Sequence, residues 1–113
     1  MMRQRQPRIK DDKHLKFVGT LPCLVCGNDT QTEAAHIRMA DPRIGKQPTG
    51  IGHKPDDFFV VPLCGEHHRM QHKCGDELEW WTVMRRDPVP VALHIYAVTG
   101  DFGRAEHIVR SAR

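Results

Sequence analysis

Two short pairs of soft ligands, Cys23-x-x-Cys26 and Cys64-x-x-His67, constrain this chain more than any other feature. Each pair can place two donor atoms on one ion, and four such donors complete the closed tetrahedral sphere of a structural zinc site. Gly27-Asn28-Asp29 after the first pair reads as a turn. A redox Cys-x-x-Cys would instead open a helix after a strand. Cys23, Cys26, Cys64 and His67 are therefore expected to share one structural zinc. The 37 residues between the pairs exceed ordinary zinc-finger spacing, so a substantial insert must fold between them. With no apolar segment behind the basic N-terminus, no secretory signal is read. A reducing, cytoplasmic setting is expected, where such thiols bind metal rather than form disulfides.

Local signals give an α+β order. Asp11 or Asp12 caps a short helix over Lys13–Val18 that ends at Gly19. Thr32–Met39 reads as a strand carrying His36, and Phe58–Leu63 as a second strand with Pro62 at its end. Between them, residues 41–57 hold three Gly and three Pro and read as a long loop, functional or disordered. A helix follows from Gly65 to Lys73, with Gly75 expected to stop it in a left-handed conformation. Asp76 caps a helix through Arg86 with Leu78, Trp81 and Trp80 as inward candidates. Asp87-Pro88 opens Val89–Val98, stopped by Gly100. Asp101 starts a last helix to about Ser111, with Phe102, Ala105 and Ile108 or Val109 inside.

Helical spacing also separates the histidines. Residues three or four apart share a helix face. Cys64 and His67 form one such pair, while His68 points elsewhere and stacks with His72. Two imidazoles leave coordination positions open, as a catalytic metal requires. His36 lies on the insert between the zinc half-sites and is the candidate base. His14, His94 and His107 fall on helices outside this group and read as structural or surface residues. Cys74 reads as a partly buried free thiol, and Trp80-Trp81 as core.

Taken together, Ala34-Ala-His-Ile-Arg38, Gly50-Ile-Gly-His-Lys-Pro-Asp-Asp57, Val60-Val-Pro-Leu-Cys-Gly-Glu-His-His-Arg69 and Gln71-His72 resemble an HNH endonuclease. Within that group the chain is similar to the Ref-type (recombination enhancement function) nucleases of phages and prophages, over about residues 11–81. The resemblance implies a zinc-braced ββα-metal finger with flanking helices. It implies that His36 is the general base and that His68 and His72 hold a catalytic divalent metal, Mg2+ or Mn2+. Cleavage would leave 5′-phosphate and 3′-hydroxyl ends on DNA. It also implies recruitment through RecA filaments. Three positions depart from the pattern. Ala35 stands where many members carry a further metal ligand. The central Asn is missing, since the only Asn is Asn28; Asp57, or Asp56, is expected to orient His36 instead. Gln71 replaces a common Lys, leaving Arg69 or Lys73 for that phosphate contact. Lys54 and Arg38 complete the expected DNA contacts, and His53 is a further residue able to reach the metal.

Charge bears on the alternatives. Arg3, Arg5, Arg8 and Lys10 carry four positive charges against a net of +3, which leaves residues 11–113 at −1. Residues 1–10 read as a basic, flexible tail able to touch phosphates, and 11–113 as a single domain with its C-terminal helices from about 76. A pure DNA binder is expected to be more basic than this. A non-cleaving zinc-stabilised nucleic-acid module and a zinc-ribbon-like protein adaptor remain the competing classes, and neither needs a base at His36 or an open His68/His72 pair.

Overall fold

The computed structural model of the chain describes residues 8–50 and 54–112. Arg3, Arg5 and His53, named above, lie outside the described residues. The order of elements is α1 (Asp12–Val18), β1 (Thr32–His36), β2 (Val60–Cys64), α2 (Gly65–Lys73), α3 (Glu77–Met84), α4 (Pro88–Ala97) and α5 (Phe102–Ser111). The fold class is α+β, with two antiparallel strands and five helices among the described residues. No helix among the described residues is long and apolar enough to cross a membrane.

The helix starts follow from side-chain caps. Asp11, Asp76 and Asp101 accept from the amides of His14, Glu79 and Arg104, each satisfying a donor that the first turn leaves unpaired. Asp87 precedes α4 without such a bond, because its carboxylate is taken by Arg43 at 2.7 and 2.8 Å. Pro88 then opens α4 one residue earlier than expected.

Register pairs Thr32 with Cys64 and His36 with Val60. Every residue of β2 is buried, since α1, α2 and α4 pack on the strands. That is why Val60, Val61 and Leu63 read as an unbroken apolar run rather than an alternating one. Both strands are shorter than the sequence suggests. Ile37 still donates to Phe59 O at 2.9 Å, but the next amides, Arg38 and Met39, turn to the Glu77 carboxylate. On the other side Phe59 N closes a turn on Asp56 O.

Pro62 is not at a strand end, as expected, but pairs with Ala34 at the centre of β2. Its carbonyl accepts from Leu24 N at 2.8 Å, on the edge away from β1. Its donor-less nitrogen faces the same edge, so no bond to β1 is lost. Gly75 does not stop α2 either. Cys74, in extended conformation, ends the helix, and its amide bonds Met70 O. The left-handed residue in this region is Arg85, closing α3 at φ +59°. Gly100, by contrast, follows α4 at φ +89°.

Two expected inward residues lie outside the core. Leu78 is 62% exposed because Trp80 and Trp81 are both buried, and the centre of that face falls between them, about 110° from Leu78. Phe102 shares the angular face of Ala105 and Val109 but stands at the first residue of α5, where it is half exposed. The early part of the long loop is ordered. Asp41 and Lys46 exchange backbone hydrogen bonds, Arg43 clamps Asp41 to Asp87, and the buried Lys46 donates to Met39 O at 2.6 Å. Residues 8–10, expected within the flexible tail, are held against residues 55–57. Arg8 donates to Asp57, Ile9 N donates to Asp56, and Asp57 N returns a bond to Ile9 O.

Candidate metal centre and cleft

Cys23, Cys26, Cys64 and His67 converge, with their donor atoms all within 4.8 Å of one another. The separations are 3.9 Å for Cys26 Sγ–Cys64 Sγ, 3.8 Å for Cys23 Sγ–His67 Nδ1 and 3.2 Å for Cys64 Sγ–His67 Nδ1. Four donors around a tetrahedral zinc at ordinary bond lengths lie roughly 3.3–3.8 Å apart, so the donor set fits the ion. The knuckle that supplies the first pair is built by Gly27, whose φ of +77° lets its amide return to Cys23 O while Cys23 N bonds Asn28 O. Leu24 N docks the knuckle on β2, and β2 delivers Cys64 at the head of α2. Burial raises the Cys23 thiol, but hydrogen bonds from the backbone of Cys26, Cys64 and Val25 reverse this and hold it below its ordinary value. Among the described residues this is the only group of three or more such donors.

Three other histidines line a cleft of about 750 Å3 between the end of β1 and α2. His36, His68 and His72 all face it, together with Arg38, Lys54 and Glu77. His36 Nε2 lies 2.9 Å from Asp57 Oδ1. Of the two candidate orienting acids, Asp57 is therefore the one facing His36; Asp56 caps Ile9 N instead. Asp57 is 1% exposed and wholly engaged: Arg8 donates to Oδ1 at 2.6 Å and Asp11 N to Oδ2 at 2.8 Å. Burial opposes its charge, yet His36, the Asp11 amide and Arg8 hold its carboxyl below the usual range. An ionised carboxylate only accepts, so a neutral His36 ring bonded to it through Nε2–H has Nδ1 as its acceptor atom. Burial lowers the pKa of His36, Asp57 opposes this, and Arg8 and Lys54 add to the lowering. The lowering favours the neutral ring.

His68 and His72 stack as their spacing requires, with Nε2 atoms 3.1 Å apart. Cis imidazole ligands at about 2.1 Å from one ion are about 3.0 Å apart, so the pair fits a shared divalent metal. Glu33 Oε1 lies 2.6 Å from His68 Nδ1. Such a bond leaves the Nε2 lone pair pointing toward His72. Ala35 is fully buried and offers no third ligand.

The expected DNA contacts divide. Lys54 is exposed at the cleft, and Arg38 lines it while donating to Gly50 O at 3.1 Å. Arg69 and Lys73 are exposed on α2 and do not line the cleft. Gln71, at the position of a common Lys, is buried and donates to His36 O and Glu77 Oε2, both at 3.0 Å. Cys74 is half-buried and bonded to Gln71 O. His94 and His107 are exposed and His14 is buried, all outside the cleft.

Three residues here had no sequence signal: Arg8 behind Asp57, Glu33 behind His68, and Glu77. Arg8 reads as tail, Glu33 as an ordinary strand residue and Glu77 as an acid in a first helical turn. Their partners lie up to 49 residues away.

Comparison with known proteins adds a family. The uncharacterized protein YdfU of Escherichia coli (strain K12) is 34% identical over 76 residues, covering 60% of this chain and 20% of that protein. The chain thus spans about a fifth of the length of that relative. No solved structure matches. The family model described as "Protein of unknown function (DUF968)" matches residues 1–83, which include both Cys/His groups and the cleft but not α4 or α5. The chain belongs to the DUF968 family.

Proposed function

We propose that this protein is a metal-dependent DNA endonuclease built on an HNH-type ββα-metal finger, with a structural zinc in the Cys23–His67 site. The observation that carries this reading is the composition of one cleft. His36, braced through Nε2 by the buried Asp57, faces the same space as the His68/His72 pair, itself braced by Glu33. A binding module needs neither.

The reaction is hydrolysis of a phosphodiester. His36 Nδ1 takes a proton from water as its oxygen attacks phosphorus. The P–O3′ bond breaks, the leaving 3′ oxygen takes up a proton from solvent, and His36 gives its proton back to solvent, leaving 5′-phosphate and 3′-hydroxyl ends. The buried Asp57 carboxylate stabilises the imidazolium that forms, without accepting its proton. His68 and His72 are the residues that would hold a divalent ion, which would supply charge neutralisation at the phosphate and the leaving oxygen. Lys54 and Arg38 draw the backbone toward the cleft. The weak charge of residues 11–113 fits loose substrate binding or delivery by a partner, for which the Ref-type likeness suggests a RecA filament.

The test is nicking of supercoiled plasmid and cutting of single-stranded circles with Mg2+, Mn2+ or EDTA, with and without RecA filaments. Metal-dependent cutting that His36→Ala abolishes supports the reading. Tight DNA binding with no cutting under any condition replaces it by the non-cleaving module.

A further inference from the structure

Glu77 sits outside the two strands and the metal helix, yet its carboxylate joins them. Oε1 accepts from Arg38 N at 3.0 Å and Met39 N at 2.9 Å, the amides just past His36. Oε2 accepts from Gln71 Nε2 at 3.0 Å and Trp81 Nε1 at 2.9 Å. Gln71 donates from the same nitrogen to His36 O and immediately precedes His72. Two donors per oxygen use the whole accepting capacity of a carboxylate. Although Glu77 lines the cleft, its oxygens are already engaged, so it is neither a spare base nor the missing third ligand.

We propose that Glu77 is a positioning residue that fixes the distance between His36 on β1 and the His68/His72 pair on α2. The inference rests on the nuclease reading above and deepens it. β1 ends at His36, where pairing with β2 stops, so nothing in the sheet holds residues 38 and 39. The sheet holds His36 opposite Val60, and Ile37 N still bonds Phe59 O; the chain Arg38/Met39–Glu77–Gln71–His36 O adds a second, direct tie from the end of β1 to α2. Trp81, itself core, anchors Glu77 from its own helix. Alignment matters here because a misplacement of about 1 Å at a reacting group costs roughly 100-fold in rate.

Two variants test this on the full chain. Glu77→Gln keeps the shape but turns an NH2 toward one donor pair. Gln71→Met cuts the link to His36 O while leaving the two backbone amides on Glu77. Two readouts are taken on protein that retains zinc and a cooperative melt. The first is Mn2+-induced relaxation of the His36 ring protons, which reports the metal-to-base distance whether or not the protein cuts DNA. The second is plasmid cleavage, resolved into kcat and KM.

Weaker His36 relaxation in both variants is expected, at a Mn2+ affinity within about threefold of wild type. With it, kcat is expected to fall about 10- to 100-fold at little change in KM. The double variant should fall no further than the worse single one, since the residues act as a unit. A purely structural role would lower the melting temperature and leave relaxation and kcat of the folded protein in place, and that result overturns the proposal. If wild type cuts no DNA but relaxation weakens as expected, positioning stands and the nuclease reading fails. If wild type binds no Mn2+, both fall.

Discussion

One short helix serves two sites of opposite design. From α2, His67 turns into the knuckle and His68, its neighbour, turns into the cleft. In the knuckle four donors close on one point, and two of the three thiols are buried. In the cleft only two imidazoles meet among the described residues, at 3.1 Å, and their bracing comes from a carboxylate behind the ring. A closed sphere leaves a metal nothing to do but hold chain together, whereas an open pair leaves positions for water and phosphate. On the proposed reading, ligand count rather than residue type separates the structural site from the reactive one.

The sharpest way to break that division is to remove one ligand from each side. Cys23→Ala should unfold the domain, because binding free energy at a structural zinc is folding free energy, on the order of 10 kcal/mol. Circular dichroism and zinc content, before and after a strong chelator, measure it. A folded, zinc-free Cys23→Ala protein would show that the core under β2 suffices without the knuckle.

His36→Ala should do the reverse. Fold and zinc content stay at wild-type values, and on the nuclease reading cleavage falls about 100- to 10,000-fold, the usual contribution of a general base. His36 is held at the cleft and not in the core, so its removal leaves no large cavity. Retained cutting by this variant would move the base elsewhere.

How much of this was legible in the sequence follows the range of the interactions. The knuckle and the His68/His72 pair were legible because turn chemistry and helical period act over two to four residues. Helix starts at Asp11, Asp76 and Asp101 were legible for the same reason. The choice between Asp56 and Asp57 was not, since it depends on which carboxylate the N-terminal segment pushes inward. Pro62 misled because the edge its nitrogen faces is set by Leu24, 38 residues away. Glu33 and Glu77 were silent, because a carboxylate whose partners come from other elements has no local pattern.

The open site can be sharpened through Glu33. Glu33→Gln leaves both imidazoles in place but weakens the carboxylate that fixes the His68 tautomer. Mn2+ affinity, by calorimetry or paramagnetic titration, should fall about 10-fold, the low end of such effects because Glu33 is exposed. Zinc retention should not change. Loss of zinc in this variant would mean that the two sites are coupled through α2 rather than independent.

The smallest expected effect concerns a histidine in neither site. His14 is 1% exposed, with Nδ1 2.7 Å from Thr99 Oγ1 and its ring edge-on to Tyr96 at 4.8 Å. Its Nε2 has no partner among the described residues. Burial lowers its pKa, with Asp11 and Asp57 opposing. The unfolded chain therefore takes up this proton first as pH falls. The stability that neutral His14 contributes is complete above about pH 6.5 and is lost as pH drops through the lower folded value, at about 1.4 kcal/mol per unit of difference. Melting temperature should be level for this group above pH 7 and decline below pH 6. His36 shifts in the same direction, so His14→Phe should flatten the decline only in part and leave the pH dependence of cleavage unchanged. A decline that persists in full in His14→Phe would assign acid sensitivity to the cleft or the knuckle, and would tie stability to the metal sites after all.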